Sequence, residues 1–166
     1  QLEAHPYGFY VYVLRIDDFE AFLERYNPSD QSLVRYFIAK LAEEVAADAG
    51  ANAFPVYTEG RDIVVIGNLT SSAQIGEFRS LAFEAAVRIG ESVRRYLPIT
   101  VSIGIGDLRE DPCCICASFE EANEALEIRA FRGSSAVIPI WSERRSKKGG
   151  LMFQERMRDI RQGVIA

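Results

Sequence analysis

The stretch Ala53-Phe-Pro-Val-Tyr-Thr-Glu-Gly-Arg-Asp-Ile-Val-Val-Ile-Gly67 decides how the chain is read. Residues 53–58 and 62–67 are two β-prone runs, and Glu59-Gly60-Arg61 between them reads as a tight hairpin. A hairpin set in the middle of a chain that otherwise alternates helices with single strands fits a split βαβ, ferredoxin-like core.

The flanking sequence supports that reading. On the N-terminal side, residues 9–16 (Phe-Tyr-Val-Tyr-Val-Leu-Arg-Ile) are β-branched and aromatic and predict a buried strand, ended by Asp17 and Asp18. A short helix follows, with Phe19, Phe22, Leu23 and Tyr26 on one side, and Asn27-Pro28-Ser29 breaks it. In a longer helix Leu33, Phe37, Leu41 and Val45 recur at i+4 spacing, Val34 and Ile38 widen the stripe, and Gly50 is a C-cap. On the C-terminal side a helix is expected over 73–97, with Phe78, Leu81, Ala85, Ile89 and Val93 inward, then a strand over 98–105. Ser118-Phe-Glu-Glu121 reads as a capping box opening a fourth helix, with Phe119, Ala122 and Leu126 on its core side and Gly133 ending it. A last strand is expected over 136–140, where Pro139 suggests a sheet edge or a strand end. The order βααββαβαβ predicts an α/β (α+β) fold around a central, mainly antiparallel sheet.

Composition bounds the function. The 166 residues suit one domain with a little extra, and a domain of about this length buries roughly two-thirds of its unfolded surface. With 48% hydrophobic and 26% charged residues the chain is of ordinary globular class. No run approaches the roughly 18 apolar residues of a membrane span, so no membrane contact is expected. The net charge of -5 opposes a phosphate backbone, so direct contact with nucleic acid is not expected of this chain. Gln1 is not a natural start and no signal peptide is visible; we expect a piece of a longer cytoplasmic protein. Cys113, Cys114 and Cys116 sit in one loop, and the single histidine is the distant His5. A four-ligand zinc site is therefore not expected, and inert thiols are favoured over a redox Cys113-x-x-Cys116 pair.

After Trp141 the composition shifts, dividing the chain into a domain over 1–141 and a linker with a C-terminal helix over 142–166. Arg144, Arg145, Lys147 and Lys148 belong to that linker, where such short charge runs are commonly just solvated. Residues 151–165 have Phe153, Met157, Ile160 and Val164 on one stripe. That helix either packs back on the domain or continues into a following one.

Four segments carry a resemblance. Leu14-Arg-Ile-Asp-Asp-Phe-Glu20 resembles the first-strand motif of GGDEF domains, and Glu59-Gly-Arg-Asp-Ile63 falls where that family carries Gly-Gly-Asp-Glu-Phe. Thr100-Val-Ser-Ile-Gly-Ile-Gly106 is similar to a later family strand, and Ala122-Asn-Glu-Ala-Leu126 to a family helix. Active members are diguanylate cyclases, which join two GTP molecules held on facing subunits with the help of two metal ions. The resemblance puts the first metal carboxylate at Arg15 and the second at Arg61, and an arginine carries only donors and cannot ligate a cation. It also puts Glu59 at the first hairpin glycine, Leu23 at the guanine-reading asparagine, and Ala130 and Ser134 at the phosphate-gripping basic residues.

The resemblance therefore implies a degenerate domain with no catalytic residues, no metal and no cofactor. Arg15 and Arg61, expected close together on adjacent strands, could hold an anion with Asp17 and Asp62 beside them. Alternatively they pair with Asp17, Asp18 or Asp62 and close the old site, the commoner arrangement.

Further likenesses narrow the branch. Leu33-Val-Arg-Tyr-Phe-Ile-Ala-Lys-Leu-Ala-Glu-Glu44, residues 118–129 and residues 154–163 resemble the middle region of AraC-type bacterial transcription regulators. That implies a signal-coupling domain between an upstream sensor or receiver and a downstream DNA-binding part, with self-association possible. Two alternatives stay open: a degenerate GGDEF domain attached to a cyclic-dinucleotide phosphodiesterase, and a ligand-free dimerisation module.

Overall fold

A computed structural model describes residues 7–128, 133–144 and 158. Five strands form one sheet in the order β2-β3-β1-β4-β5, with β1 Phe9–Ile16, β2 Ala51–Val56, β3 Asp62–Leu69, β4 Val101–Ile105 and β5 Val137–Pro139. All pairings are antiparallel except β4 with β5. The helices are α1 Phe19–Arg25, α2 Pro28–Asp48, α3 Phe78–Tyr96 and α4 Ile115–Glu127. The expected element order and the mainly antiparallel sheet are both present.

The central strand explains the continuous apolar run at 9–16, since every residue of β1 is buried. Alternation sends Tyr10, Tyr12, Leu14 and Ile16 into the large core under α2 and α3, while Val11 and Val13 meet Val64, Ala122 and Leu126 under α4. A strand covered on both faces has no polar face, which is why it reads as unbroken hydrophobicity. The Tyr12 hydroxyl, buried in that core, donates to the Ala82 carbonyl at 3.0 Å. Both prolines in strands lie at sheet edges, Pro55 in β2 and Pro139 in β5, where a missing N–H costs no ladder bond.

The second packing layer depends on two residues that have no side chain. Gly104 on β4 and Gly106 just after it lie beneath α4, and a methyl group on either would overlap the main chain of Ala122 or Ser118. The helix thus rests directly on the strand backbone. The Thr100-to-Gly106 motif alternates large residues toward one core (Val101, Ile103, Ile105) with small ones under α4 (Ser102, Gly104, Gly106).

Several sequence expectations shift. The hairpin is not tight: β2 ends at Val56, and residues 57–61 form the loop before β3. Asp62 and Ile63 there pair with Arg15 and Leu14 of β1, so β3 is held by its other neighbour where β2 has stopped. Helix α3 starts at Phe78, because Ser71 and Gln74 form a capping box on a 3₁₀ turn at Ser72–Gln74. Strand β4 starts at Val101, with Pro98–Thr100 in the preceding loop. Strand β5 stops at Pro139, and residues 140–144 are helical.

Helix α4 begins at Ile115, after a 3₁₀ turn at Pro112–Cys114 capped by Asp111. Ser118 and Glu121 are therefore not a capping box. Ser118 lies inside the helix, and its Oγ accepts from the Val11 N–H at 3.0 Å, in place of a further β1–β4 rung. Phe119 is turned outward and exposed. On α2 the buried stripe is Val34, Ile38, Leu41 and Val45, while Leu33 (65% exposed) and Phe37 stand on the flank. The predicted helix over 151–165 lies outside the described residues.

Candidate functional site

Arg15 is the next-to-last residue of β1. Period-2 alternation places its side chain on the α4 face, after Val11 and Val13. Its cross-strand partner is Asp62, the first residue of β3. The two meet as a fork: Arg15 Nε donates to Asp62 Oδ1 at 2.8 Å and Nη2 to Oδ2 at 2.9 Å. Such bidentate pairs are among the strongest hydrogen-bonded contacts available to side chains. Helix α4 closes the arrangement, with Arg15 donating to Glu127 at 3.3 Å and to Asn123 Oδ1 at 3.4 Å. Only 9% of the Arg15 side chain is exposed. The hydrogen bond to Asp62 raises the guanidinium's pKa above its ordinary value against the opposing effect of burial, so it stays charged.

The other sequence candidates fall in different places. Asp17 is turned toward β4 and β5, where its carboxylate accepts from Ser102 Oγ at 2.6 Å and from the Ser135 N–H at 2.8 Å. It fastens the start of the last strand. Asp18 caps α1 through the Ala21 N–H at 3.1 Å. Arg61 sits in the 57–61 loop with an exposed side chain, and its carbonyl accepts from the Ile16 N–H at 3.0 Å. Arg15 and Asp62 are thus joined directly, Asp17 is engaged elsewhere, and Arg61 faces solvent. Ser134, at one basic position of the family motif, is exposed, and Ala130 lies outside the described residues. Among the described residues no group of three or more His, Cys, Asp and Glu side chains is placed to hold a metal ion.

Sequence reasoning missed Asn123 and Glu127 as partners of Arg15. One signal was available: the two lie four residues apart, on one face of a helix. It also missed a second polar centre. Glu121, buried on α4, accepts from the Asp107 N–H at 2.9 Å and binds the guanidinium groups of both Arg109 and Arg144. Arg144 belongs to the helical residues that follow β5. Beside it Trp141 packs edge-on against Phe78 at 5.6 Å, under the guanidinium of Arg79 at 5.5 Å. The exposed cysteines are free thiols, and a hydrogen bond to Asp111 pushes the Cys113 thiol above its usual pKa.

This fold and site define a class. The family model of the GGDEF-like domain matches residues 6–128, and the chain belongs to that family. Its fold is similar to that of the active GGEEF domain of a diguanylate cyclase from Vibrio cholerae, with a TM-score of 0.60 and 16% identity over 80% of this chain and 83% of the other. A GGDEF domain from Pseudomonas aeruginosa gives 0.56 and 18%, over 81% and 83%. A diguanylate cyclase from Pseudomonas aeruginosa, solved in complex with its activator, gives 0.59 and 16%, over 81% of this chain and 51% of that one. At these identities the likeness is one of fold. No curated protein matches the chain. Among the described residues no helix is long and apolar enough to cross a membrane.

Proposed function

We propose that this GGDEF-like domain is a non-catalytic, signal-coupling domain of a bacterial AraC-type transcription regulator. The observation that carries the non-catalytic part is the Arg15–Asp62 fork. At the strand position where the family resemblance expects a metal carboxylate, a cation stands instead, already bound to the nearest carboxylate and covered by α4. Phosphoryl transfer of this kind rests on positioned positive charge facing the phosphates through metal ions. Arg15 repels a metal, and its own charge is spent on Asp62.

The coupling part is supported by the way the chain leaves the domain. Arg144 is bound to Glu121, and Trp141 is packed on α3, so the segment following β5 is tied to two helices of the core. A change in α4 or α3 then reaches whatever follows. The AraC assignment rests on the sequence likeness at residues 33–44, 118–129 and 154–163. Its test is the parent gene. Two helix-turn-helix units beyond Ala166 support the assignment, and a catalytic phosphodiesterase domain there overturns it.

A second reading, a dimerisation module, is favoured by one observation. Leu33, Tyr36, Phe37, Tyr57 and Tyr96 are all exposed, with Tyr36 stacked on Tyr57 and Phe37 edge-on to Tyr96. Sedimentation of the chain and of Tyr36→Ser/Phe37→Ser separates the readings. A dimer lost in the variant and unmoved by any upstream signal favours the module.

A further inference from the structure

We infer that the cleft between α1 and the α3–β4 connection is a binding site for a small ligand with an anionic head on an apolar body. The cleft has a volume of about 380 Å³, within the range of small-molecule sites. It lies on the opposite face of the sheet from the Arg15–Asp62 fork. Ile16, its floor on β1, points into the α2–α3 core, and Arg15 before it points toward α4. The inference goes beyond the coupling role and stands whether or not the chain is an enzyme.

The chemistry of the lining sets the ligand class. Ile16, Phe22, Leu97 and Ile99 supply an apolar surface. Two arginines line it from different helices, Arg25 in the last turn of α1 and Arg94 in the last turn of α3. Arg25 is partly committed, since its Nη1 donates to the Pro98 carbonyl at 3.0 Å. That bond also fixes the head of Arg25 beside Pro98, another residue of the lining. Among the described residues Arg94 has no hydrogen-bond or ion-pair partner, so its donors are open to a ligand. Among the described lining residues the one opposing charge, Asp18, is engaged by the Ala21 N–H. In a chain of net charge -5 the cleft is locally cationic. A carboxylate or a phosphate monoester would bridge the two arginines while its apolar part covered Phe22 and Leu97.

The test titrates benzoate and phenyl phosphate into the full 166-residue chain, with benzyl alcohol as the uncharged match, and follows backbone amide shifts. We expect saturable shifts confined to residues 16–25 and 94–100 from at least one anion, and much weaker effects from the alcohol. The tighter anion assigns the head group as carboxylate or phosphate. Arg94→Gln, at an exposed residue with no partner among the described residues, is expected to weaken binding by about 10-fold. Absence of saturable shifts in those segments, equal binding of benzyl alcohol, or unchanged affinity in Arg94→Gln would overturn the assignment.

Discussion

The guanidinium of Arg15 and the carboxylate of Asp62 face each other across β1 and β3 as a two-bond fork, although 47 residues separate them in the chain. Removing one partner leaves the other charge partly buried and unpaired. Asp62 keeps 26% of its side chain exposed, so water offsets part of that cost. Arg15→Ala is expected to lower stability by about 2 kcal/mol and Asp62→Asn by about 1 kcal/mol in urea unfolding. The double variant is expected to cost less than the sum. Strict additivity would mean that the fork contributes nothing.

The proposed lack of catalysis is open to direct assay. Incubated with GTP and Mg²⁺ or Mn²⁺, the chain is expected to yield no cyclic dinucleotide above a protein-free control. Product formation that scales with protein concentration would end the non-catalytic reading.

Contact of α4 with bare backbone at the end of β4 and just beyond it makes Gly104 and Gly106 intolerant of any side chain. Gly104→Ala would place a methyl group in the Ala122 carbonyl, which belongs to helix main chain and cannot swing aside. Overpacking of this kind costs about 1–3 kcal/mol, and the upper end is expected here. Thermal unfolding of Gly104→Ala and Gly106→Ala checks this. A change below ~0.5 kcal/mol in both would show that α4 does not sit on the strand.

Glu121 ties the β4–α4 connection and the segment after β5 to one buried carboxylate. Glu121→Ala is expected to cost about 3 kcal/mol, since two arginines lose their partner. It should also speed amide exchange at residues 140–144 more than in the strands. Uniform acceleration would point to global destabilisation and remove the argument that this carboxylate holds the exit of the domain.

The Cys113 thiol has its pKa raised chiefly by a hydrogen bond to Asp111, with the nearby negative charge adding to the effect. A raised thiol pKa means less thiolate at neutral pH, and thiolate is the reactive form. Asp111→Asn removes the charge and is expected to lower that pKa. Alkylation of Cys113 by iodoacetamide at pH 7.5 should then run a few-fold faster, with its pH profile displaced to lower pH. A slower reaction in the variant would contradict the assigned cause. The same raised pKa argues against a primed Cys113–Cys116 redox pair.

Much of the fold was legible in the residues themselves. The unbroken apolar run at 9–16, the i+4 repeats of the helices and the β-prone runs around Glu59-Gly60-Arg61 report burial, and burial follows local periodicity. Four short motifs in the right order pointed to the GGDEF-like family. Arg15 could be singled out through the same motifs, as an arginine at a metal-carboxylate position of the family, with Asp62 among its candidate partners. Polar residues were harder, because Ser118 and Glu121 match a local capping pattern that the structure does not use. Their oxygens serve Val11, Asp107, Arg109 and Arg144 instead. Which distant donor a side chain meets depends on strand order and helix placement, and spacing along the chain does not encode it. Tertiary structure alone therefore chose Asp62 from the candidate partners of Arg15, turned Asp17 toward Ser102 and Ser135, and formed the cleft beside Arg94, for each is made by elements that only the folded sheet brings together.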